Sequence, residues 1–279
     1  MKVLVTGGSG FLGTHLRSSL NAVNFSRRSG HDVLSLQDAT LVRDYDVVIH
    51  LAALLDKSPA MAEQVFLTNV EGTVNLLREM KKDSIFIFAS TKDVYGRFAD
   101  NYREVPETCE TLYSGQSALE WSKLIAERYV EFYANQREFR SCIFRLSTVY
   151  AKRSEGNSPN FVTSYAEAIN TGDEIRLPGG GRPVRDLLHV DDLATACEAF
   201  ADSVIRHGTY NIGGGPATAL SLTDLVKKLE EVSGLQAVFS KESALDPVPM
   251  NYVSDIRRAS QELGWEPQIS LDEGLKTLF

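Results

Sequence analysis

A glycine-rich turn near the start of the chain constrains the fold more than any other feature of the sequence. The apolar and β-branched run KVLVT at residues 2–6 predicts a short buried strand. The turn GGSGFLG follows at residues 7–13, and the amphipathic pattern from Phe11 to Leu20 predicts a helix. A strand that enters a helix through such a turn is typical of a dinucleotide-binding unit.

The three spaced glycines of this turn explain why it favours a dinucleotide. Gly7 permits the tight turn, and Gly10 lets backbone N–H groups approach a pyrophosphate. Gly13 permits close packing of the helix, whose N-terminus favours an anion. We therefore predict that these glycines form a phosphate-binding cradle.

Strands and helices alternate along the first half of the chain. This alternation predicts an α/β fold with a doubly wound parallel sheet of the Rossmann type. The second half predicts a smaller α+β region. The predicted strands lie at 22–25, 32–36, 47–53, 85–90, 141–149 and 209–212, and the predicted helices at 63–81, 114–132, 191–201, 223–233 and 255–263.

Chain length and composition agree with two domains. At about 150 residues per domain, 279 residues suggest two. We assign residues 1–150, plus about 186–212, to a dinucleotide-binding Rossmann domain. Residues 151–185 and 213–279 then form a substrate-binding domain.

Charge, hydropathy and cysteine usage exclude several classes of protein. A net charge of −8 disfavours binding to a nucleic-acid backbone. The longest mostly apolar run, Val47–Leu55, has 9 residues, far fewer than the roughly 18 needed to cross a bilayer. The N-terminus lacks a signal-peptide pattern, and the three cysteines lack metal-ligand spacing. We expect a cytoplasmic protein without a metal site, with neither membrane nor nucleic acid as a partner.

The residues after the second predicted strand bear on the choice of cofactor. A carboxylate there holds the ribose 2′-hydroxyl of NAD, whereas an arginine accepts the 2′-phosphate of NADP. Arg27 and Arg28 follow the strand at 22–25 and favour NADP. If residues 30–33 begin the second strand instead, Asp38 would stand at the ribose, and NAD would be the cofactor.

Motifs along nearly the whole chain resemble the extended short-chain dehydrogenase/reductase family, specifically the NAD-dependent epimerases and dehydratases of nucleotide sugars. The motifs occur in the family's order. They are TGGSGFLG at 6–13, VIHLAA at 48–53, NVEGTVNLL at 69–77, STKDVYG at 90–96, SKLIAE at 122–127, FRLSTVYA at 144–151, RDLLHVDDLA at 185–194, YNIGGG at 210–215 and LGWEPQISLDEGL at 263–275.

The resemblance implies the roles of several residues. Thr91 would hydrogen-bond the reacting oxygen of the sugar, and Lys123 would bind the nicotinamide ribose. Asn160 and Arg185 would contact the substrate, the arginine at its pyrophosphate. The cofactor-binding positions implied in addition to those above are Phe11, Leu12, Leu51, Ala52, Ala53 and Asn69.

One departure from the family pattern affects the chemistry. Family members carry a tyrosine four residues before the lysine, and its phenol exchanges a proton during hydride transfer. Here that position is Leu119, which has no exchangeable proton. Another carrier is required if the chain is catalytic, and Asp93, next to Lys92, is our candidate.

Three interpretations of Leu119 remain open. The chain is an NAD(P)-dependent epimerase, dehydratase or reductase of nucleotide sugars that uses another proton carrier. Alternatively, it is a catalytically impaired cofactor-binding protein with a regulatory or scaffold role. In the third interpretation, Leu119 is an incidental or engineered change in a conventional enzyme. We favour the first, with a nucleotide-sugar substrate and a possible homodimer.

Overall fold

The computed structural model describes residues 1–241 and 247–279. Within these ranges the chain forms twelve strands and ten α-helices. The strands are β1 (Val3–Thr6), β2 (Val23–Phe25), β3 (Val47–His50), β4 (Ile85–Thr91), β5 (Arg140–Leu146), β6 (Thr148–Tyr150), β7 (Glu174–Leu177), β8 (Val184–His189), β9 (His207–Ile212), β10 (Ala219–Ser221), β11 (Val238–Lys241) and β12 (Asn251–Tyr252). The helices are α1 (Phe11–Ser19), α2 (Leu36–Ala39), α3 (Ala62–Phe66), α4 (Gly72–Glu79), α5 (Ala118–Arg137), α6 (Phe161–Thr171), α7 (Val190–Asp202), α8 (Leu222–Ser233), α9 (Arg257–Leu263) and α10 (Leu271–Lys276).

The main sheet has six strands in the order β2-β1-β3-β4-β5-β9. Every neighbouring pair is parallel. The order reverses direction at β1, as in a doubly wound Rossmann sheet. The predicted fold class is therefore confirmed. Because the strands are parallel, their carboxyl ends meet at one edge, where ligands bind in open sheets of this kind.

Helices cover both faces of this sheet, which explains why its strands are apolar on both sides. On one face, Val5 and Ile49 pack with Leu16 of α1 and Phe200 of α7. On the other face, strand residues pack against α4 and α5 in a second core, with members that include Leu4, Val48, Phe86, Leu76 and Val130. No helix within the described ranges is long and apolar enough to cross a membrane.

The later part of the chain forms two smaller sheets. Strand β8 pairs with β6, β10 and β12, and β7 pairs with β11. A third apolar core joins α6 and α8 through residues such as Val162, Leu225 and Leu229. We propose two domains, as expected. Strand β9 returns to the main sheet, whereas β8, whose residues 186–189 were expected in the Rossmann domain, lies in one of the smaller sheets.

One predicted strand is wrong. Residues 32–36 form turns and the start of α2. The carboxylate of Asp32 accepts a hydrogen bond from the backbone N–H of Leu34 at 3.0 Å, and the Ser35 hydroxyl accepts one from Asp38 N–H at 3.2 Å. These local side-chain bonds to the backbone favour a turn over a strand.

Two predicted helices have different bounds. The helix predicted at 63–81 is divided into α3 and α4 by a π-helical turn at Leu67–Glu71. The helix predicted at 114–132 begins later, because Ser117 and Glu120 form a capping box, and it continues to Arg137. The strand predicted at 141–149 is interrupted at Ser147, between β5 and β6.

Candidate active site

The glycine turn after β1 forms a backbone cradle that leaves no room for larger residues. A Cβ atom on Gly7, where φ is +67°, would lie 2.7 Å from the backbone nitrogen of Ala52. A Cβ atom on Gly13 would lie 2.2 Å from the carbonyl oxygen of Gly7. Both clashes are with backbone atoms, which cannot move aside cheaply. Gly7 and Gly13 therefore bring α1 against the turn, as the sequence predicts.

The N-terminus of α1 is open to a ligand. Gly10 is the N-cap and supplies no side-chain cap. The first intrahelical bond is donated by Thr14 N–H to Gly10 O at 3.0 Å. The N–H groups of Phe11 and Leu12 come before this bond and have no acceptor within the helix. Backbone N–H groups in this position, together with the helix dipole, bind an anion. The residues present thus fit the pyrophosphate of a nicotinamide dinucleotide.

The loop after β3 lies next to the cradle at the carboxyl edge of the main sheet, and the side chain of Asn69 holds this loop in place. The side chain of Asn69 accepts from Leu54 N–H at 2.7 Å and donates to Leu54 O at 3.1 Å. It also donates to the Ser122 hydroxyl of α5 at 2.9 Å. Ala52 N–H is bonded to the Thr6 hydroxyl at 3.2 Å. Leu51, Ala52 and Ala53 therefore border the cradle, with Asn69 as their buried anchor.

Strand β2 ends at Phe25, which places Arg27 and Arg28 just beyond the strand end beside the cradle. Arg28 donates to the Ser9 carbonyl at 3.1 Å. Arg27 is exposed and has no side-chain hydrogen bond or ion pair with the described residues. The alternative that placed Asp38 at the ribose required a strand at 30–33 that the fold lacks. The Asp38 carboxylate instead accepts from the backbone of Asp32 at 2.8 Å.

Lys123 lies on α5 with its amine against β4. Its Nζ donates to Ala89 O at 2.8 Å and lies 4.9 Å from the centre of the Phe88 ring. The residue is 4 % exposed. Burial lowers the pKa of Lys123 to about 8, with Glu127 partly opposing the effect. An amine that is partly neutral near neutral pH can exchange protons.

Leu119 lies one turn before Lys123 and is also buried. Tyr95 is fully buried, and its hydroxyl donates to Asn211 at 2.7 Å. Tyr113 lies at the surface, stacked on Trp121 with ring centres 6.4 Å apart. Neither tyrosine supplies a free phenol at the position of Leu119.

Thr91 ends β4, and a group of four charged residues lies beside it. The Thr91 hydroxyl accepts from Asp93 N–H at 3.2 Å. Asp93 forms ion pairs with Lys92 and, at 3.1 Å, with Lys57, and Lys57 also lies 2.8 Å from Glu120. We call Lys57, Lys92, Asp93 and Glu120 the ionic cluster. It connects the loop after β3, the end of β4 and the first turn of α5.

Burial and charge set the protonation of the ionic cluster. Burial alone would raise the pKa of Asp93, but Lys92 and Lys57 outweigh it and hold that pKa far below the ordinary range. Burial lowers the pKa of Lys92, although Asp93 opposes the effect. The predicted site residue Asp93 is therefore a fixed negative charge at neutral pH, and Lys92 is the buried amine of the cluster whose pKa is lowered.

Sequence reasoning missed Lys57 and Glu120. They are 63 residues apart in the chain, and neither lies in a motif that indicates chemistry. The only local signal was Ser117 three residues before Glu120, which is a helix-capping pattern. Three-dimensional packing places the Lys57 amine beside Asp93 and the Glu120 carboxylate beside Lys57.

Besides Thr91, the two other residues expected at the substrate are already bonded within the protein. Asn160 caps α6, accepting from Thr163 N–H at 3.0 Å and donating to Val149 O at 2.5 Å. Arg185 donates to the carbonyl oxygens of Met250 at 2.8 Å and Pro249 at 2.9 Å. Burial lowers the pKa of Arg185, and Asp93 opposes this, so the guanidinium is electrostatically coupled to the ionic cluster.

Taken together, the parallel sheet, the glycine cradle and the residues at the carboxyl edge define a nicotinamide dinucleotide-binding enzyme. The sequence profile of the NAD dependent epimerase/dehydratase family matches residues 3–213. The chain belongs to this family, and the resemblance expected from the motifs is confirmed.

Individual relatives agree with the family in length and fold. The chain is 28 % identical to CDP-paratose 2-epimerase of Salmonella typhi, over 100 % of this chain and 98 % of that protein. It is 29 % identical to a putative UDP-glucose 4-epimerase of Methanocaldococcus jannaschii, over 98 % of this chain and 96 % of that one. The structure of MoeE5 in complex with UDP-glucuronic acid and NAD has a TM-score of 0.86 and 27 % identity, over 99 % of this chain and 97 % of that chain. These similarities confirm the expected class, an NAD-dependent nucleotide-sugar enzyme of the epimerase/dehydratase type.

Proposed function

We propose that the chain transfers a hydride at a sugar carbon of a nucleotide sugar, as an epimerase, dehydratase or reductase that handles protons without the family tyrosine. The nicotinamide, when bound, supplies a group that accepts and returns the hydride. The cradle would hold the pyrophosphate, Lys123 the nicotinamide ribose and Thr91 the reacting sugar oxygen. The cradle follows the carboxyl end of β1 and Thr91 is the last residue of β4, at the edge where open parallel sheets bind ligands.

The ionic cluster carries the proposal for proton transfer. Lys92 is 8 % exposed, whereas the side chain of Lys57 is 54 % exposed. Asp93 bonds both amines, so the cluster connects a buried amine to solvent through one carboxylate. We propose that Nζ of Lys92 exchanges the proton with the sugar hydroxyl, and that Asp93 positions that amine. Asp93 would therefore contribute to proton transfer indirectly, by holding the Lys92 amine in place.

A catalytically impaired cofactor-binding protein is the second candidate. The observation that favours it is the leucine at position 119, beside an amine of Lys123 that is already bonded to Ala89 O. In this case the cradle would bind a dinucleotide, and the ionic cluster would only stabilise the loops that it joins.

The test combines removal of Lys92 with introduction of the missing phenol. Turnover of nucleotide sugars would be followed by absorbance near 340 nm and by product analysis in wild type, Lys92→Met, Leu119→Tyr and the double variant. We expect Lys92→Met to lower turnover about 100-fold or more, the usual contribution of a general acid or base. Leu119→Tyr should restore part of that loss in the double variant, because the phenol supplies a second proton carrier.

Two outcomes would contradict this proposal. Cofactor binding without turnover in wild type and in Leu119→Tyr would support the second candidate. Equal turnover in wild type and Lys92→Met would leave the enzyme class intact and remove Lys92 from the chemistry. Thermal unfolding of each variant separates a lost proton carrier from a lost fold.

We propose NADP as the preferred cofactor, with NAD as the alternative. Arg27 supports this preference because its guanidinium is exposed beside the cradle and free to bind a 2′-phosphate. The end of β2 carries no carboxylate for a ribose hydroxyl: the residues from Phe25 to Gly30 are FSRRSG.

We also propose that the protein is a cytoplasmic homodimer. Cys109, Cys142 and Cys197 are all buried and unpaired, as is usual in a reducing compartment. An aromatic face made by Phe66, Trp121, Tyr129 and Phe132 supports a dimer formed through α3 and α5. A nucleotide sugar is the proposed small-molecule partner.

A further inference from the structure

A segment of the second half of the chain lies against the start of α1. His15 Nε2 donates to the Lys152 carbonyl at 2.8 Å, and the Asn157 amide donates to the Thr14 hydroxyl at 3.4 Å. Residues 152–157, which we call the strap, are therefore attached to the first two turns of the helix at both ends. Asn157 is 8 % exposed although its neighbours in the strap are at the surface.

Arg28 joins the strap to the glycine cradle. Its Nη1 donates to Asn157 Oδ1 at 3.0 Å and to Ser9 O at 3.1 Å, and its Nη2 donates to Gly156 O at 2.7 Å. Ser9 is part of the cradle, whereas Gly156 and Asn157 are more than 120 residues away in sequence. A planar guanidinium with several fixed donors suits such a three-way junction, whereas a lysine amine does not.

The position of the strap gives it a role in holding a dinucleotide. A pyrophosphate at the N-terminus of α1 would lie beside Ser9 and Thr14. The strap bonds Thr14 directly and is connected to Ser9 through Arg28. Release of the dinucleotide then requires the strap to separate from α1 or from Arg28. The hydrogen bonds of Arg28 would oppose that separation, because a charged donor forms the stronger kind of hydrogen bond.

We propose that Arg28 is a cofactor-retaining residue that fastens the strap over the dinucleotide cradle, and that Arg27 alone reads the 2′-phosphate. This inference rests on the proposed function to the extent that the cradle binds a nicotinamide dinucleotide. The two adjacent arginines would then have different roles: Arg28 sets the rate of cofactor release, and Arg27 sets the preference between NADP and NAD.

The experiment measures the binding and release of NADH and NADPH by their fluorescence, in wild type, Arg28→Ala, Arg27→Ala and Asn157→Ala. We expect Arg28→Ala to release NADH about tenfold faster, the change that corresponds to one charge-assisted hydrogen bond. Asn157→Ala should have a smaller effect in the same direction. Arg27→Ala should lower the preference for NADPH over NADH. The matched control is Arg43→Ala, which removes the same charge from an exposed arginine that pairs with Glu79 before the start of β3; its NADH release should stay at the wild-type rate.

Hydrogen exchange of the cofactor-free proteins gives a readout that needs no bound ligand. Amides in residues 152–157 should exchange faster in Arg28→Ala than in Arg27→Ala, with the rest of the chain unchanged. Wild-type release rates in Arg28→Ala, or a loss of NADPH preference there instead of in Arg27→Ala, would overturn the assignment. Failure of wild type to bind either dinucleotide would overturn the proposed function, and the role of the strap in retention with it.

Discussion

At the scale of single residues, burial of Lys123 lowers its pKa enough to make stability depend on pH. Its amine is buried against β4 with one carbonyl partner, and the pKa falls from 10.5 to about 8. Between these two values the unfolded chain binds more protons at this residue than the folded chain does. The free energy of unfolding therefore rises with pH across this window, by at most about 1.4 kcal/mol per pH unit from this group.

We predict that Lys123→Met abolishes this contribution. The free energy of unfolding, measured with urea from pH 7.5 to 10.5, should rise less steeply with pH in Lys123→Met than in wild type. Lys227, on α8, is exposed and pairs only with Asp224 in the described residues. Lys227→Met should therefore keep the wild-type slope. Identical slopes in all three proteins would show that Lys123 titrates as a solvated lysine does.

The sequence predicts the glycines of the turn after β1 well, because a backbone motif determines them. Gly7 and Gly13 could be predicted because only glycine tolerates their close contacts. The sequence could locate Arg185 and Asn160, but it could not predict which backbone carbonyl groups accept their hydrogen bonds. A carbonyl acceptor such as Met250 O carries no signal in the sequence. Lys57 could not be predicted at all, because its role comes from two carboxylates distant in the chain.

At the scale of elements, the first turn of α5 positions three residues of the site. Glu120 accepts from Ser117 N–H and from the Ser117 hydroxyl, both at 2.6 Å, and its other oxygen faces Lys57. On the same helix, Leu119 precedes Glu120 and Lys123 follows it one turn after Leu119. The capping box therefore determines where α5 begins and also holds one end of the ionic cluster.

We predict that Ser117→Ala lowers stability and turnover together. Loss of an N-cap costs about 1 kcal/mol, and release of Glu120 should loosen Lys57 and Asp93. The capping box of α10, made by Ser270 and Glu273, provides a matched control away from the site. Ser270→Ala should cost a similar free energy of unfolding without changing turnover. A turnover equally affected in both variants would contradict the link between the α5 cap and the site.

The elements that could be predicted from sequence are those with long apolar periodicity. Strands β3, β4 and β5 lie where continuous apolar runs place them. The segment 32–36 has three apolar residues in five, but side-chain bonds from Asp32 and Ser35 compete with strand pairing. The π-helical turn at Leu67–Glu71 left the hydrophobic pattern intact, so periodicity alone could not reveal it.

At the scale of the whole molecule, the aromatic face is partly exposed, although Trp121 stacks on Tyr113 and Tyr129 stacks on Tyr133. Phe132 is 55 % exposed, Tyr129 and Phe66 are each 42 % exposed, and Trp121 is 37 % exposed. Along α5, the spacing of Trp121, Tyr129 and Phe132 places them on one side of the helix. A second copy can cover the same face symmetrically, because a two-fold axis brings identical patches together.

We predict that Tyr129→Glu with Phe132→Glu converts a dimer to a monomer. Two carboxylates in the centre of an apolar contact would have to be desolvated without partners. Sedimentation velocity gives the mass of each species directly. Val204→Glu is the matched control, since Val204 is 93 % exposed and lies outside the aromatic face. A wild-type protein that sediments as a monomer at micromolar concentration would refute the proposed dimer.

The place of β9 in the main sheet affects how the chain folds during its synthesis. Strand β5 ends at Leu146, but its neighbour β9 begins only at His207, 61 residues later. At about 5–20 residues per second, a ribosome needs roughly 3–12 s to deliver the missing strand. During that interval the edge of β5 is unpaired and can join a strand of another nascent chain. Slower synthesis therefore lengthens the time for which this edge of β5 is open to association with another chain.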